Sequence, residues 1–222
     1  MVMAADFIEQ HFSHSLGYIG IHWKFNAADW IAGCDKLDGP KVQQCEILSK
    51  ATHKDVAGAI LGYAAEKFDK KKHSIEGIRQ YGMYIAAGEH EYATDRIAAI
   101  AGKVMDNIGV DKAPFYTTSY LEKWIKFRYE QCSLTSTYLS EVISVVEHHI
   151  LFESKVLLFM TGDPWSTRVM NDRKLVGRFM KPGDKSFVDV ITNFITGQPA
   201  MKVNPMVKQE LKKRLSEMKI KE

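Results

Sequence analysis

The chain has 222 residues, of which 45% are hydrophobic and 26% are charged. These values are ordinary for a globular protein with a buried core, and they exclude a chain that is disordered over most of its length. The net charge of +3 is unevenly distributed, because residues 1–112 hold 13 Lys/Arg and 15 Asp/Glu, a balance of −2, whereas residues 113–222 hold 17 and 12, a balance of +5. A polyanionic partner is compatible with this charge, more so for the second half.

The first residues and the cysteines bear on localisation. Asp6 and Glu9 occupy the start of the chain, which lacks the basic residues and unbroken apolar stretch of a signal peptide. No apolar run approaches the roughly 20 residues that span a bilayer. The three cysteines, Cys34, Cys45 and Cys132, are odd in number and unclustered, as is typical of a reducing compartment. We therefore expect a cytoplasmic protein with no membrane partner.

In the first half, apolar residues recur at helical spacing and rarely alternate strictly. This spacing predicts a helix over residues 4–15, followed at 17–25 by a stretch of β character that is either extended or a turn. Asn26 suits the N-cap of a short helix that continues through Ile31 and ends at Gly33.

Two further signals in the first half concern helix starts and helix packing. Pro40 follows Asp38-Gly39 and is predicted to open a helix, since proline is tolerated at the first helical position. Gly58 and Gly62 lie four residues apart in a predicted helix over 55–68, where they permit a close helix–helix approach at a cost of roughly 1 kcal/mol each.

A long helical region is predicted from residues 74–76 to about residue 108. Residues 109–114 then combine a glycine, charges and a proline, which favours a domain boundary there. The predicted domains are residues 1–110 and 115–222.

The second half is predicted to contain a capping box at Ser119–Glu122 and then three strong helices, over 135–161, 164–180 and 184–196. Asn204-Pro205 opens a basic helix that runs to the C-terminus. The predicted fold class is therefore all-α, with two small helical domains of which the second is a helical bundle.

One cluster of histidines and carboxylates suggests a metal site: Glu141, Glu147, His148, His149 and Glu153. A di-iron helical bundle needs a matching Glu-x-x-His set on other helices, and residues 89–91 have the wrong spacing for it. We therefore expect no metal ligands, and a metal-dependent helical oxygenase is kept as an alternative function.

Motifs of catalysis are missing from the sequence. It contains no Gly-x-Ser-x-Gly nucleophile motif and no phosphate-binding Gly-x-x-x-x-Gly-Lys-Ser/Thr loop. We expect no catalytic residues, no cofactor and no enzymatic activity. A helical adaptor with protein partners only is a second alternative.

Basic and aromatic residues interleave at residues 22–25, 123–129 and 165–178. Such stretches can stack nucleic-acid bases on aromatic rings, here on Trp23 or Trp124, while cations neutralise phosphates. For any single stretch, an ordinary amphipathic helix with aromatics in the core is the better explanation.

The order of residues resembles the helicase-loading (helicase assembly) proteins of T-even-type bacteriophages. In the first half the resemblance rests on Gln10-His11, Ile19, Trp23, Arg79-Gln80-Tyr81, Thr94-Asp95 and residues 97–100. In the second half it rests on Ser136-Thr137-Tyr138, residues 150–153 and 156–158, Asp163, Arg173-Lys174-Leu175 and residues 187–195.

The resemblance implies two helical domains, the first similar to HMG-box DNA-binding folds. It implies a non-enzymatic DNA-replication protein of a phage-infected bacterial cell, which binds forked and single-stranded DNA. Its partners would be the single-stranded-DNA-binding protein and the hexameric replicative helicase that it loads. This chain departs from the family in residues 30–44, where Asp35 and Asp38 offset Lys36 and Lys41. Fewer neutralised phosphates mean weaker binding of duplex DNA.

Charge and position indicate candidate DNA-binding residues in both halves. The candidates are Lys24, Lys41, Lys70, Lys71, Lys72, Arg79 and Arg96 in the first half, and Lys123, Lys126, Arg128, Arg173, Lys174 and Arg178 in the second.

Overall fold

The computed structural model describes residues 2–23, 40–68, 81–87, 93–107, 115–160, 163–175, 184–197 and 205–217. Within these residues the backbone forms one sheet of five strands. The strands are β1 (Tyr18–His22), β2 (Gly82–Ala86), β3 (Phe115–Thr117), β4 (Val156–Phe159) and β5 (Lys185–Ser186). Every pairing is parallel, and the spatial order is β3-β2-β1-β4-β5.

Helices connect the strands, as a parallel sheet requires. The helices of the first half are α1 (Val2–Phe12), α2 (Pro40–Ser49), α3 (His53–Phe68) and α4 (Ala93–Asn107). Those of the second half are α5 (Thr118–Arg128), α6 (Ser133–Thr137), α7 (Leu139–Glu153), α8 (Pro164–Leu175), α9 (Phe187–Thr196) and α10 (Pro205–Glu217).

Both faces of the sheet are covered by helices. Alternate strand residues, such as Ile19 and Ile21, join a core that α2, α3, α4, α9 and α10 complete. The residues between them, such as Tyr84 and Leu157, join a second core with α1, α5, α7 and α8. Because helices cover both faces of the sheet, β1 is buried at all five positions. Strands buried on both faces read as apolar runs without alternation.

The glycines of α3 confirm the predicted close approach of helices. A Cβ atom at Gly58 would lie 2.6 Å from the Phe194 ring of α9 and 2.7 Å from Leu215 of α10. At Gly62 the nearest atom would be 3.6 Å away, which is ordinary contact. Only the first glycine is therefore required by packing.

The all-α prediction is wrong, and with it the expectation of an HMG-box-like domain followed by a helical bundle. The predicted helix over 135–161 is divided into α6, α7 and β4, and the predicted helical region before residue 108 contains β2. Strands from both halves of the chain pair with one another, as β1 pairs with β4 and β2 with β3. Short apolar runs that were assigned to helices are buried strands of one parallel sheet.

Several helix limits do agree with prediction. Helices α2, α8 and α10 begin at Pro40, Pro164 and Pro205, and α9 ends at Thr196. Helix α5 begins one residue before the predicted capping box, and Thr117 is its N-cap, with a side chain that accepts from the Tyr120 N–H. The short helix predicted over 26–31 and the domain boundary predicted over 109–114 lie outside the described residues.

Two observations bear on the expected localisation. None of the helices in the described ranges combines the length and apolar character needed to cross a membrane. Cys45 is disulfide-bonded, which differs from the expectation of reduced cysteines, whereas Cys132 is free.

Candidate ligand-binding site

The order of the strands reverses at β1. From β1 the chain continues outward through β2 and β3, and then returns to place β4 and β5 on the other side of β1. In open parallel sheets such a reversal leaves a crevice outside the carboxyl ends of the two strands, and ligands bind there. The carboxyl ends of β1 and β4 are therefore the first candidate site.

A polar cluster joins the ends of these two strands. His22 is the last residue of β1 and is 5% exposed. Its Nδ1 atom lies 2.5 Å from the Ser166 Oγ atom and 3.6 Å from the Asp163 Oδ2 atom. Ser166 Oγ also accepts the backbone N–H of Met160, which directly follows β4, at 3.1 Å. The imidazole at the end of β1 is thus held by the connection between β4 and α8.

The start of α8 gives this connection its shape. Asp163 accepts the Ser166 N–H through its side chain at 2.7 Å and the Thr167 N–H through its backbone carbonyl at 3.0 Å. Asp163 is therefore the N-cap, and Pro164 at the first helical position has no amide that needs a partner. Ser166 is 1% exposed, so its hydroxyl positions His22 and is not open to an external carbonyl group.

Trp165 lies between two histidines at this end of the sheet. Its ring centroid is 4.5 Å from that of His22, and 6.0 Å from that of His148, which is on α7. The His148 Nε2 atom lies 3.0 Å from the Asp172 Oδ2 atom of α8, close enough for an ion pair when the histidine is protonated. The angles at this contact do not meet the geometry of a hydrogen bond. Burial lowers the pKa of His148, and the Asp172 carboxylate opposes this shift.

A second polar cluster lies at the ends of β2 and β3. The Glu147 carboxyl on α7 is 2% exposed, and its Oε1 atom accepts hydrogen bonds from Tyr84 at 2.8 Å and Thr118 at 2.6 Å. The Thr118 hydroxyl accepts the Ala87 N–H at 2.9 Å. Burial raises the pKa of Glu147 to about 7, although the two hydroxyl groups favour its charged form.

The predicted DNA-binding residues that the structure describes do not gather at this site. Arg96, Lys123, Lys126 and Arg128 are exposed. Lys126 pairs with Glu122, and Arg128 pairs with Asp6 at 3.3 Å. Outside the described part of the chain lie Lys24, Lys70, Lys71, Lys72, Arg79 and Arg178, together with the side chains of Lys41 and Lys174.

Arg173 lies in the core, although the sequence indicated a phosphate contact. Its guanidinium donates through Nη1 to the carbonyls of Leu151, Phe152 and Ser154 at the end of α7, at 2.8–3.0 Å. Through Nη2 it binds both carboxylate oxygens of Asp184 at 3.1 Å. At 1% exposure, this cation is used in joining α7, α8 and β5.

The aromatic residues considered for base stacking are also internal. Trp23 is 4% exposed and packs on Phe187, while Trp124 is 8% exposed and donates to Gln10 at 2.8 Å. The described residues contain no group of three or more His, Cys, Asp or Glu side chains arranged to hold a metal ion.

Comparison with protein-family models, with curated proteins and with solved structures finds no match to this chain.

The sequence carries only a weak signal for this site. His22 and Ser166 are 144 residues apart, and each lies in a basic–aromatic stretch. His22 also lies in the stretch of predicted β character over 17–25, which contains β1, but that prediction left an extended segment and a turn both open.

Proposed function

We propose that this protein binds a small molecule in the crevice outside the carboxyl ends of β1 and β4. The observation that carries the proposal is the polar cluster of His22, Asp163 and Ser166 at the point where the strand order reverses. A histidine there can donate or accept a hydrogen bond, or exchange a proton near neutral pH. The proposal concerns binding, and the expectation of no enzymatic activity is unchanged by it.

The connection after β1 limits how such a ligand is recognised. Dinucleotide-binding folds place a Gly-x-G-x-x-Gly turn there, so that the backbone approaches the pyrophosphate. Here the residues after His22 are Trp23, Lys24, Phe25 and Asn26, and the next glycine is Gly33. This supports recognition by side chains, with the half-buried Trp165 indole offering an aromatic surface.

The test is a thermal-shift screen of the full chain against small metabolites that include nucleotides, sugar phosphates and carboxylic acids. We expect at least one compound to stabilise the protein, because a ligand that binds only the folded state raises its melting temperature. Its affinity should fall about tenfold or more in H22Q, as after loss of about 1.4 kcal/mol. The matched control is H14Q, since His14 is an exposed histidine outside the site. Equal affinity of both variants, or no stabilising compound, contradicts the proposal.

The sequence resemblance supports a second proposal, that the chain binds forked and single-stranded DNA and assists helicase loading. The family's all-helical fold is not the fold of this chain, so the support is confined to residue order and to the basic second half. The partners would be the replicative helicase and the single-stranded-DNA-binding protein of an infected bacterial cell.

Fork-DNA binding at about 50 mM and about 200 mM salt tests this second proposal, because each neutralised phosphate steepens the salt dependence. Replacing the exposed Lys123 by alanine should weaken binding to all DNA sequences alike. Lys103→Ala, an exposed lysine on α4 that was not a candidate, is the control. Absence of binding at the lower salt favours an adaptor with protein partners only.

A further inference from the structure

Glu147 is a buried carboxyl whose described partners are neutral hydroxyl groups. Tyr84 comes from β2 and Thr118 from the start of α5, and both donate to the same carboxyl oxygen. Hydrogen bonds to a charged acceptor are roughly twice as strong as those to a neutral one. The charge on Glu147 therefore determines how firmly the ends of β2 and β3 are held against α7.

The hydrogen bonds of Glu147 continue to the edge of the crevice. Thr118 accepts the N–H of Ala87, the residue that follows β2. The carbonyl of the preceding residue, Ala86, accepts the Trp23 N–H at 2.8 Å, and Trp23 directly follows His22. A change at the carboxyl is thus connected through backbone hydrogen bonds to the end of β1.

Helix α7 also contacts α8 through the next residue, His148. His148 packs against Trp165 and lies beside Asp172, both on α8. The first turn of α8 also carries Ser166, which holds His22. The same helix therefore touches the strand ends on one side and the residues that hold His22 on the other.

We propose that protonation of Glu147 regulates ligand binding in the crevice. The charged carboxylate strengthens the hydrogen bonds that Tyr84 and Thr118 donate to it, although burial of the charge lowers the overall stability of the fold, and the neutral carboxyl weakens them. Ligand affinity is accordingly higher with the carboxylate than with the neutral group. The inference rests on the proposed ligand site, and its first test needs no ligand.

The other titratable and charged groups near α7 are distinct from Glu147. They are Tyr18 of β1, whose hydroxyl donates to the Ile150 carbonyl, Tyr84 of β2, Asp6 and His11 of α1, Glu122, Lys126 and Arg128 of α5, Arg168 and Asp172 of α8 beside His148, and Arg173 of α8, which donates to the carbonyls of Leu151 and Phe152. Burial raises the pKa of Tyr84 and lowers the pKa values of His11 and His148. Burial also raises the pKa of Glu147 to about 7. The shifts of Tyr84, His11 and His148 move their pKa values away from 7.

The experiment is a pH titration of the ligand-free full chain by NMR, following the Ala87 amide and the Trp165 indole. In the wild type we expect both resonances to shift with one midpoint at about pH 7. In E147Q neither should shift with that midpoint, and in H148Q and in H22Q the midpoint should remain, which separates Glu147 from the two histidines that lie against Trp165. Y84F should move the midpoint to higher pH, because it removes a hydrogen bond that favours the charged form.

Two results overturn the inference: a titration that persists in E147Q, or an Ala87 shift with no change at Trp165. If E147Q does not fold, Y84F provides the test, because it keeps the Glu147 carboxyl group. Its titration midpoint should still be displaced to higher pH. Once the screen supplies a ligand, its affinity should rise about threefold or more from pH 6 to pH 8 in the wild type and stay constant in E147Q, by linkage. A screen without hits refutes the ligand site. The NMR titration of the ligand-free chain still tests whether Glu147 is coupled to Trp165.

Discussion

Replacing Arg173 by methionine should destabilise the fold far more than replacing any exposed cation. The side chain lies between the end of α7 and the start of β5, and it is 1% exposed. R173M keeps much of the apolar volume while removing the guanidinium. It leaves the Asp184 carboxylate buried without its cation, and it removes one donor from the carbonyls of Leu151, Phe152 and Ser154.

The expected loss follows from the partners of the guanidinium. Breaking a buried ion pair by removing one member costs about 3–5 kcal/mol. Asp184 still accepts the Leu157 N–H at 2.7 Å, which limits the damage on its side. We expect R173M to lower the free energy of unfolding by about 4 kcal/mol, a large fraction of the roughly 5–15 kcal/mol of a typical domain. The double variant R173M/D184N should lose less than the sum of the single variants.

Urea unfolding followed by far-UV circular dichroism measures this loss. Arg168→Met is the matched control, because Arg168 is an exposed arginine on the same helix and should change stability by less than about 0.5 kcal/mol. A loss below about 1 kcal/mol in R173M would refute the reasoning. The same measurement is a control for the DNA-binding proposal. An Arg173 variant that binds DNA weakly because it is unstable gives no evidence of a phosphate contact.

Three further predictions concern stability. Because burial raises the pKa of Glu147 from 4.5 to about 7, the folded state keeps a proton that the unfolded state releases between these values. The free energy of unfolding of the wild type should therefore fall by about 3 kcal/mol as the pH rises through this window. In urea titrations, the free energy of unfolding of E147Q should depend less on pH than that of the wild type. An equal pH dependence in the two proteins would contradict the prediction. Gly58→Ala should destabilise the fold by about 1 kcal/mol, because the added methyl group overpacks against Phe194. Gly62→Ala should stabilise it by up to about 1 kcal/mol, because alanine has the higher helix propensity. Thermal melts that rank the two variants in the opposite order would refute the packing argument. Thr117→Ala should cost about 1 kcal/mol through loss of the α5 N-cap, and an unchanged melting temperature would disprove that role.

Local signals at helix ends were readable from the sequence. Proline at positions 40, 164 and 205 marks the first residue of a helix in each case. These signals depend only on the backbone geometry of proline and its neighbours, so no tertiary contact can alter them. The close approach at Gly58 was predictable for the same reason, because the absence of a side chain is a local property.

Strands β2 and β4 were predicted as helix because burial on both faces removes the alternation that identifies a strand, whereas β1 lies in the stretch of residues 17–25 for which β character was predicted. Residues 18–22, 82–86 and 156–159 are short apolar runs, and in such runs helix and strand have the same pattern. The predicted helix over 135–161 joined α7 to β4 across Ser154, whose buried hydroxyl donates to the Leu151 carbonyl at the end of α7. A site formed by residues 22, 163 and 166 becomes visible only when the strand order is known.

The central position of β1 has a consequence for synthesis of the chain. Ile19 pairs with Val156, so the strand made first waits for one made on the order of ten seconds later at typical translation rates. Until then β1 has an open edge of unpaired N–H and C=O groups, and such an edge can pair with another chain. Ribosome stalling or truncation before residue 156 therefore produces fragments with an apolar, unpaired strand, for which aggregation competes with folding.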